Sequence, residues 1–254
     1  MEPSPSLPPK PLVKLAFEAE PSTRLFRLRL ARYWHVARTL GEILPRGKTL
    51  VLDAACGKGR LPLYWKRWGL PDRTPRLVGV DLSHSRLCRA RERGYDGLVR
   101  ANLLKSWPFP DAAFDAAVCE QVLEHLDGGS LAGFLAELAR VVRPGGPILI
   151  GVPIFTPAEL WLAPLWKPLR AWMGRARGDG HPAHVGHFSL ASLGATLRNH
   201  GFLIGPARGY RIFTLPWNLF EDHAWYFRLH QWFGRRLPWL CGEVTVTARV
   251  AAKT

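Results

Sequence analysis

Short apolar runs alternate with amphipathic segments through the middle of the chain. Runs such as TLVLDAA (49–55) and RLVGVDL (76–82) are rich in branched residues, as buried strands are. The predicted strands of this region are 49–55, 76–82, 96–102, 114–120 and 147–153. The segments between them that have helical spacing are 60–69, 83–94 and 130–142. Because strands and helices alternate with short connections, the pattern predicts a parallel sheet with helices on both faces, a doubly wound α/β fold.

The same pattern predicts the ends of individual elements. Ser83 and Ser189 precede helical stretches as N-cap residues, and Gly94 and Gly201 follow them as helix stops. The helix capped by Ser189 is predicted over 189–200. These signals define two helices by their termini as well as by their periodicity.

The alternation of predicted strands and helices changes after residue 153. Two aromatic-rich insertions, 154–188 and 214–240, interrupt the alternation, and a predicted strand (202–213) lies between them. The last predicted strand, EVTVTARVA (243–251), alternates Val and Thr, which predicts a half-solvated edge pair.

The start of the chain has a different composition. Residues 1–22 are rich in Pro and Ser and predict a disordered tail. Residues 23–48 predict a helical cap, because apolar residues recur near helical spacing between arginines. We therefore expect a single domain over residues 23–254, in which the two insertions act as lids.

Composition and charge indicate which classes of molecule the protein could bind. The chain has 254 residues, a formal net charge of +15 and 47% hydrophobic residues, which is a globular composition. Seven of the eleven tryptophans lie in the basic segment 156–240. The charge favours anionic partners such as nucleic acid, lipid headgroups or phosphorylated substrates. The four cysteines form no CxxC pair, so the sequence predicts a reducing, cytoplasmic setting without a zinc knuckle.

The stretch VLDAACGKGR (51–60, with Leu50 before it in the same strand) carries the first chemical signal. Asp53 ends a strand, and Ala55, Gly57 and Gly59 follow at alternate positions. Small residues there let a ligand approach the backbone and the amides of a helix N-terminus. A dinucleotide-binding GxGxxG pattern is not completed, because Leu61 and Pro62 follow.

A second acid ends the next strand. Asp81, 28 residues after Asp53, can accept hydrogen bonds from both hydroxyls of a ribose. The alternative is a role at the start of the helix that follows. Together the two strand ends predict a nucleoside site at the carboxyl edge of the sheet.

Four ordered motifs then resemble the class I S-adenosylmethionine-dependent methyltransferases, in the small-molecule group that includes quinone-biosynthesis enzymes. The motifs are VLDAACGKGR, VGVDLS, RANLLKSWPFPDAAFDAAVCEQVLEHL and LARVVRPGGPILIGVP, which cover residues 49–153. The resemblance implies a Rossmann-like sheet of seven strands, mainly parallel with the last strand antiparallel. It also implies S-adenosyl-L-methionine as the cofactor and S-adenosyl-L-homocysteine as the product.

The resemblance also implies roles for individual residues. Asp53 would hold the amino-acid end of the cofactor, and Asp81 would bind the ribose. The other implied cofactor residues are Ala55, Gly57 and Gly59 in the loop, Leu82, Asn102 and Leu103 around the adenine, and Glu120 and Gln121 at the methionine portion. Two positions depart from the family pattern: Ala55 replaces its first glycine, and Asn102 replaces its usual acid.

Histidines supply the candidate catalytic groups. His181, His184 and His187 recur in HPAHVGHF, and His184 or His187 could serve as a general base towards the acceptor. The alternative is a lid loop in which these side chains only pack or bond backbone. We expect no metal site, because no carboxylate or cysteine lies nearby in sequence. His125 is a minor candidate.

The acceptor is predicted to be small and apolar or lipid-like. The Trp- and Arg-containing segments 159–177 and 224–239 either fold over the site or lie on an anionic membrane surface, so peripheral membrane contact stays open. A nucleic-acid methyltransferase is the alternative, although Cys119-Glu120-Gln121-Val122 lacks the Asn/Asp-Pro-Pro-aromatic run with which amine-methylating nucleic-acid enzymes hold a flipped base. A catalytically inactive scaffold is the third alternative, and the oligomeric state is left open.

Overall fold

A seven-stranded sheet forms the centre of the computed structural model, which describes residues 26–154, 186–210 and 224–251. The strands are β1 (Gly47–Ala54), β2 (Arg73–Asp81), β3 (Gly97–Arg100), β4 (Ala116–Glu120), β5 (Pro147–Pro153), β6 (Phe202–Tyr210) and β7 (Glu243–Val250). Their order is β3-β2-β1-β4-β5-β7-β6. The first five strands pair in parallel, and β7 runs antiparallel to both its neighbours. The predicted mainly parallel fold with an antiparallel last strand is confirmed.

Helices cover both faces of this sheet. They are α1 (Phe26–Ile43), α2 (Leu61–Trp68), α3 (His84–Ala90), α4 (Gly128–Val141), α5 (Leu190–Asn199) and α6 (Ala224–Arg236). Short 3-10 turns span Arg91–Arg93, Leu123–His125 and Pro238–Leu240. One core layer joins α1 and α2 to the sheet through residues such as Leu40, Leu61 and Val118. The other joins α4 and α5 to it through residues such as Leu138 and Leu193, so the sheet is doubly wound.

The helix termini follow from short polar side chains. The Ser83 side chain accepts from the Arg86 amide at the start of α3, and Ser189 forms a capping box with Ser192 at the start of α5. Gly94, with φ 94°, ends the 3-10 turn after α3. Helix α4 starts two residues before its predicted position, because Asp127 accepts from the Ser130 amide and caps it earlier.

Strand β1 marks the point where the winding direction changes. Its neighbours are β2 on one side and β4 on the other, and the chain leaves towards opposite sides of the sheet. In such sheets a crevice opens outside the carboxyl ends of the strands at this point. The crevice therefore lies beside the ends of β1, β2 and β4, which are Ala54, Asp81 and Glu120.

The prediction of an edge position for the last strand is wrong, because β7 lies between β5 and β6. On one face Val244 and Val246 belong to a core layer. On the other face Thr245 is buried and Arg249 is exposed, so this face is only partly covered. The edge strand at this side of the sheet is β6.

Several predictions fall outside the described residues. These are the disordered tail 1–22, nearly all of the first insertion (155–185) and the start of the second (214–223). The later part of the second insertion forms α6, whose Gly234 approaches the backbone of Gly209 in β6 closely. Among the described helices, none combines the length and the apolar character that crossing a membrane requires.

Candidate cofactor site

The loop after β1 turns through three left-handed residues. Ala55, Gly57 and Gly59 have φ angles of 60°, 57° and 72°. An added Cβ at Gly59 would lie 2.5 Å from the Cβ of Ala90, so this glycine lets the loop pack against α3. A Cβ at Gly57 would meet nothing within 4 Å, so this position faces open space. The loop thus offers bare backbone to the crevice, as predicted from the small residues.

Asp81 connects the end of β2 to this loop. Its Oδ2 accepts a hydrogen bond from the Gly57 amide at 3.0 Å, and its Oδ1 accepts one from the Ser83 amide at 2.8 Å. The helix N-cap is Ser83, so Asp81 is not itself the capping residue. The next side chain, Leu82, is 58% exposed beside the crevice. An exposed apolar side chain next to a buried carboxylate suits an adenosine, whose base is flat and whose ribose carries hydroxyls.

Asp53 is buried beneath the loop and paired with a residue that the sequence did not indicate. The Tyr95 hydroxyl donates a short hydrogen bond to its Oδ2. Burial raises the pKa of Asp53 to about 7; the Tyr95 hydrogen bond opposes that rise, and the charge of Asp81 adds to it. Asp53 therefore changes its charge close to neutral pH, where an ordinary aspartate is fully ionised.

Asn102 and Leu103, the residues predicted to lie beside the adenine, use their side chains within the protein. Asn102 Oδ1 accepts from the Leu104 amide at 2.9 Å, so this oxygen is used within its own turn. The Leu103 side chain packs in the core, and its carbonyl accepts from the Trp107 indole at 3.0 Å. Leu104, by contrast, is exposed. Contact between residue 103 and a bound adenine would therefore use its backbone.

The end of β4 carries buried carboxylate and amide groups. Both oxygens of Glu120 and the Nε2 of Gln121 are buried without a hydrogen-bond partner among the described residues. The Glu120 carboxylate lies against Gly151 of β5, where any Cβ would collide with it. The backbone of Gln121 is left-handed, with φ 58°, and its backbone amide donates to the Gly151 carbonyl at 2.8 Å. Such unsatisfied polar groups are unusual in a folded interior and point to a ligand-binding role.

Helix α1 contributes a cation that the sequence motifs did not identify. Arg32 Nη1 lies 3.8 Å from Glu243 Oε2 at the start of β7, and its Nη2 donates to the Tyr33 hydroxyl at 3.2 Å. The pKa of Glu120 is raised to about 8 by burial, lowered by Arg32, and raised further by Glu243, Glu124 and Asp53. Burial likewise raises the pKa of Glu124 to about 7.

A second arginine approaches from the cofactor loop. Arg60 Nη1 donates to the Tyr33 hydroxyl at 3.4 Å, and the Tyr33 ring stacks on Tyr64 with centroids 4.4 Å apart. Burial raises the pKa of Tyr33, but the charges of Arg32 and Arg60 outweigh it and hold the pKa below its usual value. Sequence spacing could not reveal this contact, because Tyr33 and Arg60 belong to different elements.

His187 lies at the same edge of the sheet. The amide of the preceding Gly186 donates to the Glu124 carbonyl at 2.9 Å, and the following Phe188 bridges Ile154 just beyond β5. These contacts hold the exposed His187 next to the crevice. His181 and His184 lie outside the described residues. His125 Nε2 is 4.0 Å from Glu124 Oε1, in the 3-10 turn after β4.

Across residues 26–154, 186–210 and 224–251, no group of three or more His, Cys, Asp or Glu side chains is placed to hold a metal ion. The four cysteines are free thiols, and Cys88 is the exposed one.

Comparison with known proteins agrees with this geometry. Residues 52–150 match the family model described as a methyltransferase domain. A tRNA (carboxymethyluridine(34)-5-O)-methyltransferase of Arabidopsis thaliana is 34% identical over 176 residues, 66% of this chain and 41% of that protein. A malonyl-(acyl-carrier protein) O-methyltransferase of Pectobacterium atrosepticum is 32% identical over 122 residues, 46% of each chain. The chain spans 58%, 37% and 41% of the lengths of three curated relatives that it matches.

Solved structures share the fold. A crystal structure of a SAM-dependent methyltransferase from Methanosarcina mazei superposes with a TM-score of 0.58 at 17% identity, covering 85% of this chain and 98% of that chain. At this level of identity the similarity concerns the fold alone.

Proposed function

The chain belongs to the class I S-adenosylmethionine-dependent methyltransferases, and on that premise we propose that it transfers a methyl group from S-adenosylmethionine to a small, apolar or lipid-like acceptor. The observation that carries this proposal is the junction of β1 and β2. There the buried Asp81 and the left-handed loop at Gly57 join beside open space. This shape suits an adenosyl group and is not the dinucleotide pattern.

The residues at the crevice fit that cofactor in both charge and shape. Asp81 would accept from the ribose hydroxyls, with Leu82 against the adenine and Asn102 and Leu103 at its rim. The loop residues Ala55, Gly57 and Gly59 would lie along the part of the cofactor between its adenine and its sulfur. Asp53, Glu120 and Gln121 would face the methionine portion, whose ammonium and sulfonium are cationic. The oxygens of Glu120 support this assignment, because they have no hydrogen-bond partner among the described residues and a cationic ligand would give them one.

For methyl transfer, the main task of the protein is to align the methyl group with the acceptor atom. The cofactor supplies a methyl group on a positively charged sulfur, and the acceptor atom attacks it in line. The chain would hold both partners in that geometry and exclude water. We assign His187, and His184 from the same motif, as candidates for removing a proton from the acceptor. The support is that Gly186 and Phe188 hold His187 beside the ends of β4 and β5.

The apolar character of the acceptor is inferred from α6 and the turn after it. Leu229, Trp232 and Trp239 are 41%, 51% and 48% exposed, which is unusual for side chains of this size. The Arg236 guanidinium lies over the Trp232 ring at 5.4 Å. Helix α6 contains no acidic residue. Tryptophan and arginine on one helix are typical of proteins that rest on an anionic lipid surface, and we propose a cytoplasmic protein with peripheral membrane contact.

A macromolecular acceptor is the second candidate. One relative, which matches 66% of this chain, is a tRNA methyltransferase by name, and the net charge of +15 suits an anionic acceptor. Both relatives described above are named O-methyltransferases, which favours an oxygen as the acceptor atom.

One experiment separates these possibilities. Isothermal titration with S-adenosylhomocysteine should give saturable binding; the absence of binding would indicate an inactive scaffold. The protein is then incubated with methyl-labelled S-adenosylmethionine and, separately, a lipid extract, total tRNA and a small-metabolite fraction. Label in the lipid extract supports the proposal, and label confined to tRNA supports the rival.

A further inference from the structure

Acidic side chains from four elements converge at the carboxyl edge of the sheet. Asp53 ends β1, Glu120 ends β4, Glu124 lies in the following 3-10 turn, and Glu243 begins β7. All except Glu120 are at most 8% exposed, and the two carboxylate oxygens of Glu120 are buried. This density of buried carboxylates is costly unless a cation is nearby or some of them hold protons.

Glu120 is the member of this cluster with the most constrained position. Its side chain lies on the face of the sheet covered by α1, in the space left by the missing side chain of Gly151. Both its oxygens lack hydrogen-bond partners among the described residues. Gly151 therefore leaves space for the Glu120 carboxylate but gives it no hydrogen-bond donor.

The charged and titratable groups around Glu120 come from every adjacent element. Arg32 of α1 attracts its negative charge, while Asp53, Glu124 and Glu243 repel it. Tyr210, at the end of β6, is buried beside Glu243. Arg32 is shared, because its Nη1 also lies 3.8 Å from Glu243. One arginine therefore does not neutralise the cluster, and an additional positive charge at the crevice would stabilise the ionised form of Glu120.

We propose that Glu120 balances the charge of the bound methyl donor: it is ionised while a sulfonium occupies the site and takes up a proton when the sulfonium becomes a thioether. This inference rests on the proposed function and names a role for one residue within it. Glu120 would act through the positive charge of the bound donor, so its proposed role is charge balance at the cofactor rather than proton removal from the acceptor.

The charge of the site then stays constant through the reaction. Methyl transfer breaks the carbon–sulfur bond, leaves its electron pair on sulfur, and forms a bond from carbon to the acceptor atom. An acceptor that carries a proton releases it in this step to the candidate general base, which passes it to water. Glu120 loses its stabilising cation in the same step and takes up one proton from water, so the site keeps its total charge.

Burial and the neighbouring acids raise the pKa of Glu120 to about 8, so the free protein favours the protonated form of Glu120 at neutral pH. Binding of the positively charged donor should expel this proton, whereas binding of the neutral product should retain it. The affinity for the donor, relative to the product, should therefore increase as the pH rises.

Calorimetry tests this directly. S-adenosylmethionine and S-adenosylhomocysteine are each titrated into the protein in phosphate and in Tris, whose different ionisation enthalpies report the protons exchanged. We expect the donor to release about half a proton or more beyond the product at pH 7.5. The affinity ratio of donor to product should rise by at least about tenfold between pH 6.5 and 8.5.

Two variants separate Glu120 from other sources of protons. The α-amino groups of both ligands titrate in this range, so the comparison is with Glu120→Gln, which should lose the additional release, and with the exposed Glu92→Gln, which should keep it. Retained binding of S-adenosylhomocysteine shows that Glu120→Gln is folded; if it does not fold, the same comparison is made with Glu120→Asp, whose shorter carboxylate should change the pH at which release occurs.

The outcomes are distinct. Equal proton release by donor and product in the parent protein, or unchanged release in Glu120→Gln, overturns the role of Glu120 and leaves the proposed function intact. Failure of the parent protein to bind S-adenosylhomocysteine at all contradicts the proposed function itself.

Discussion

The carboxylate of Asp81 accepts a hydrogen bond from the amide of Gly57 at 3.0 Å, across 24 residues of sequence. This bond fixes the glycine loop at the end of β1 to the end of β2. The same carboxylate would meet a ribose, so one side chain both shapes the loop and contacts the ligand. Substitutions near this junction should therefore change binding and stability in separable ways.

Gly59 should tolerate no side chain. Gly59→Ala combines a left-handed backbone with a Cβ 2.5 Å from that of Ala90. We expect the free energy of unfolding to fall by roughly 3 kcal/mol, from strain and overpacking together. Gly47→Ala is the matched control, because φ is 86° there but nothing lies within 4 Å of the new Cβ. It should cost only about 1 kcal/mol. Equal losses in urea unfolding would contradict this packing role of Gly59.

Tyr95→Phe should destabilise the protein in a pH-dependent way. The Tyr95 hydroxyl donates to Asp53, whose pKa is about 7. Because this pKa lies above that of the unfolded chain, the stability that protonated Asp53 provides is lost as the pH rises through 7. Removing the donor should therefore cost about 2 kcal/mol at pH 8, where Asp53 is charged, and less at pH 5.5. Urea unfolding at both pH values measures the difference, and a pH-independent loss would argue against it.

Substitution of the two candidate histidines tests the general base. If His187 or His184 removes the acceptor proton, its change to Ala should lower kcat by about 10²-fold or more with the acceptor found in the fraction screen. The exposed His84→Ala serves as the control, because it lies on α3 away from β4 and β5. Unchanged turnover in both His184→Ala and His187→Ala would rule out this assignment and leave the loop a packing role.

The exposed aromatic surface of α6 should bind anionic lipid. The protein should co-sediment with phosphatidylserine-containing vesicles at low salt, and less with pure phosphatidylcholine or at high salt. The double variant Trp232→Ser/Trp239→Ser should lose most of this binding. Leu203→Ser, which changes an exposed apolar residue on β6, should retain it. No vesicle binding at low salt would contradict the membrane proposal, and tRNA binding in its place would favour the nucleic-acid alternative.

Sequence patterns predicted most elements of this fold because each element carries its own signals. The strands of the parallel part are apolar runs, and Ser83 and Ser189 cap their helices as expected. The error at β7 has a physical cause: Val/Thr alternation describes the two faces of a strand and does not show whether another strand pairs with its free edge. Helix α6 was not predicted because residues 214–240 were interpreted as an aromatic insertion, either a lid or a membrane-contacting segment, without helical bounds.

Local motifs predict part of the candidate site. Asp53, Asp81 and the loop glycines are predicted because they lie at strand ends or are small residues that follow them. Arg32, Tyr95 and Glu243 were not predicted, because their contacts come from elements that lie far from those motifs in sequence. Their contribution depends on tertiary contacts, which composition and spacing do not encode.

The affinity of the Asp81→Ala protein for S-adenosylhomocysteine tests the central claim most directly. Isothermal titration should show binding weakened by at least about tenfold relative to the parent, because the ribose and the loop lose one shared acceptor. Asp111→Ala, an exposed aspartate paired with Arg140, should bind like the parent. If Asp81→Ala binds as tightly as the parent protein, the nucleoside does not lie at the ends of β1 and β2, and the account is wrong.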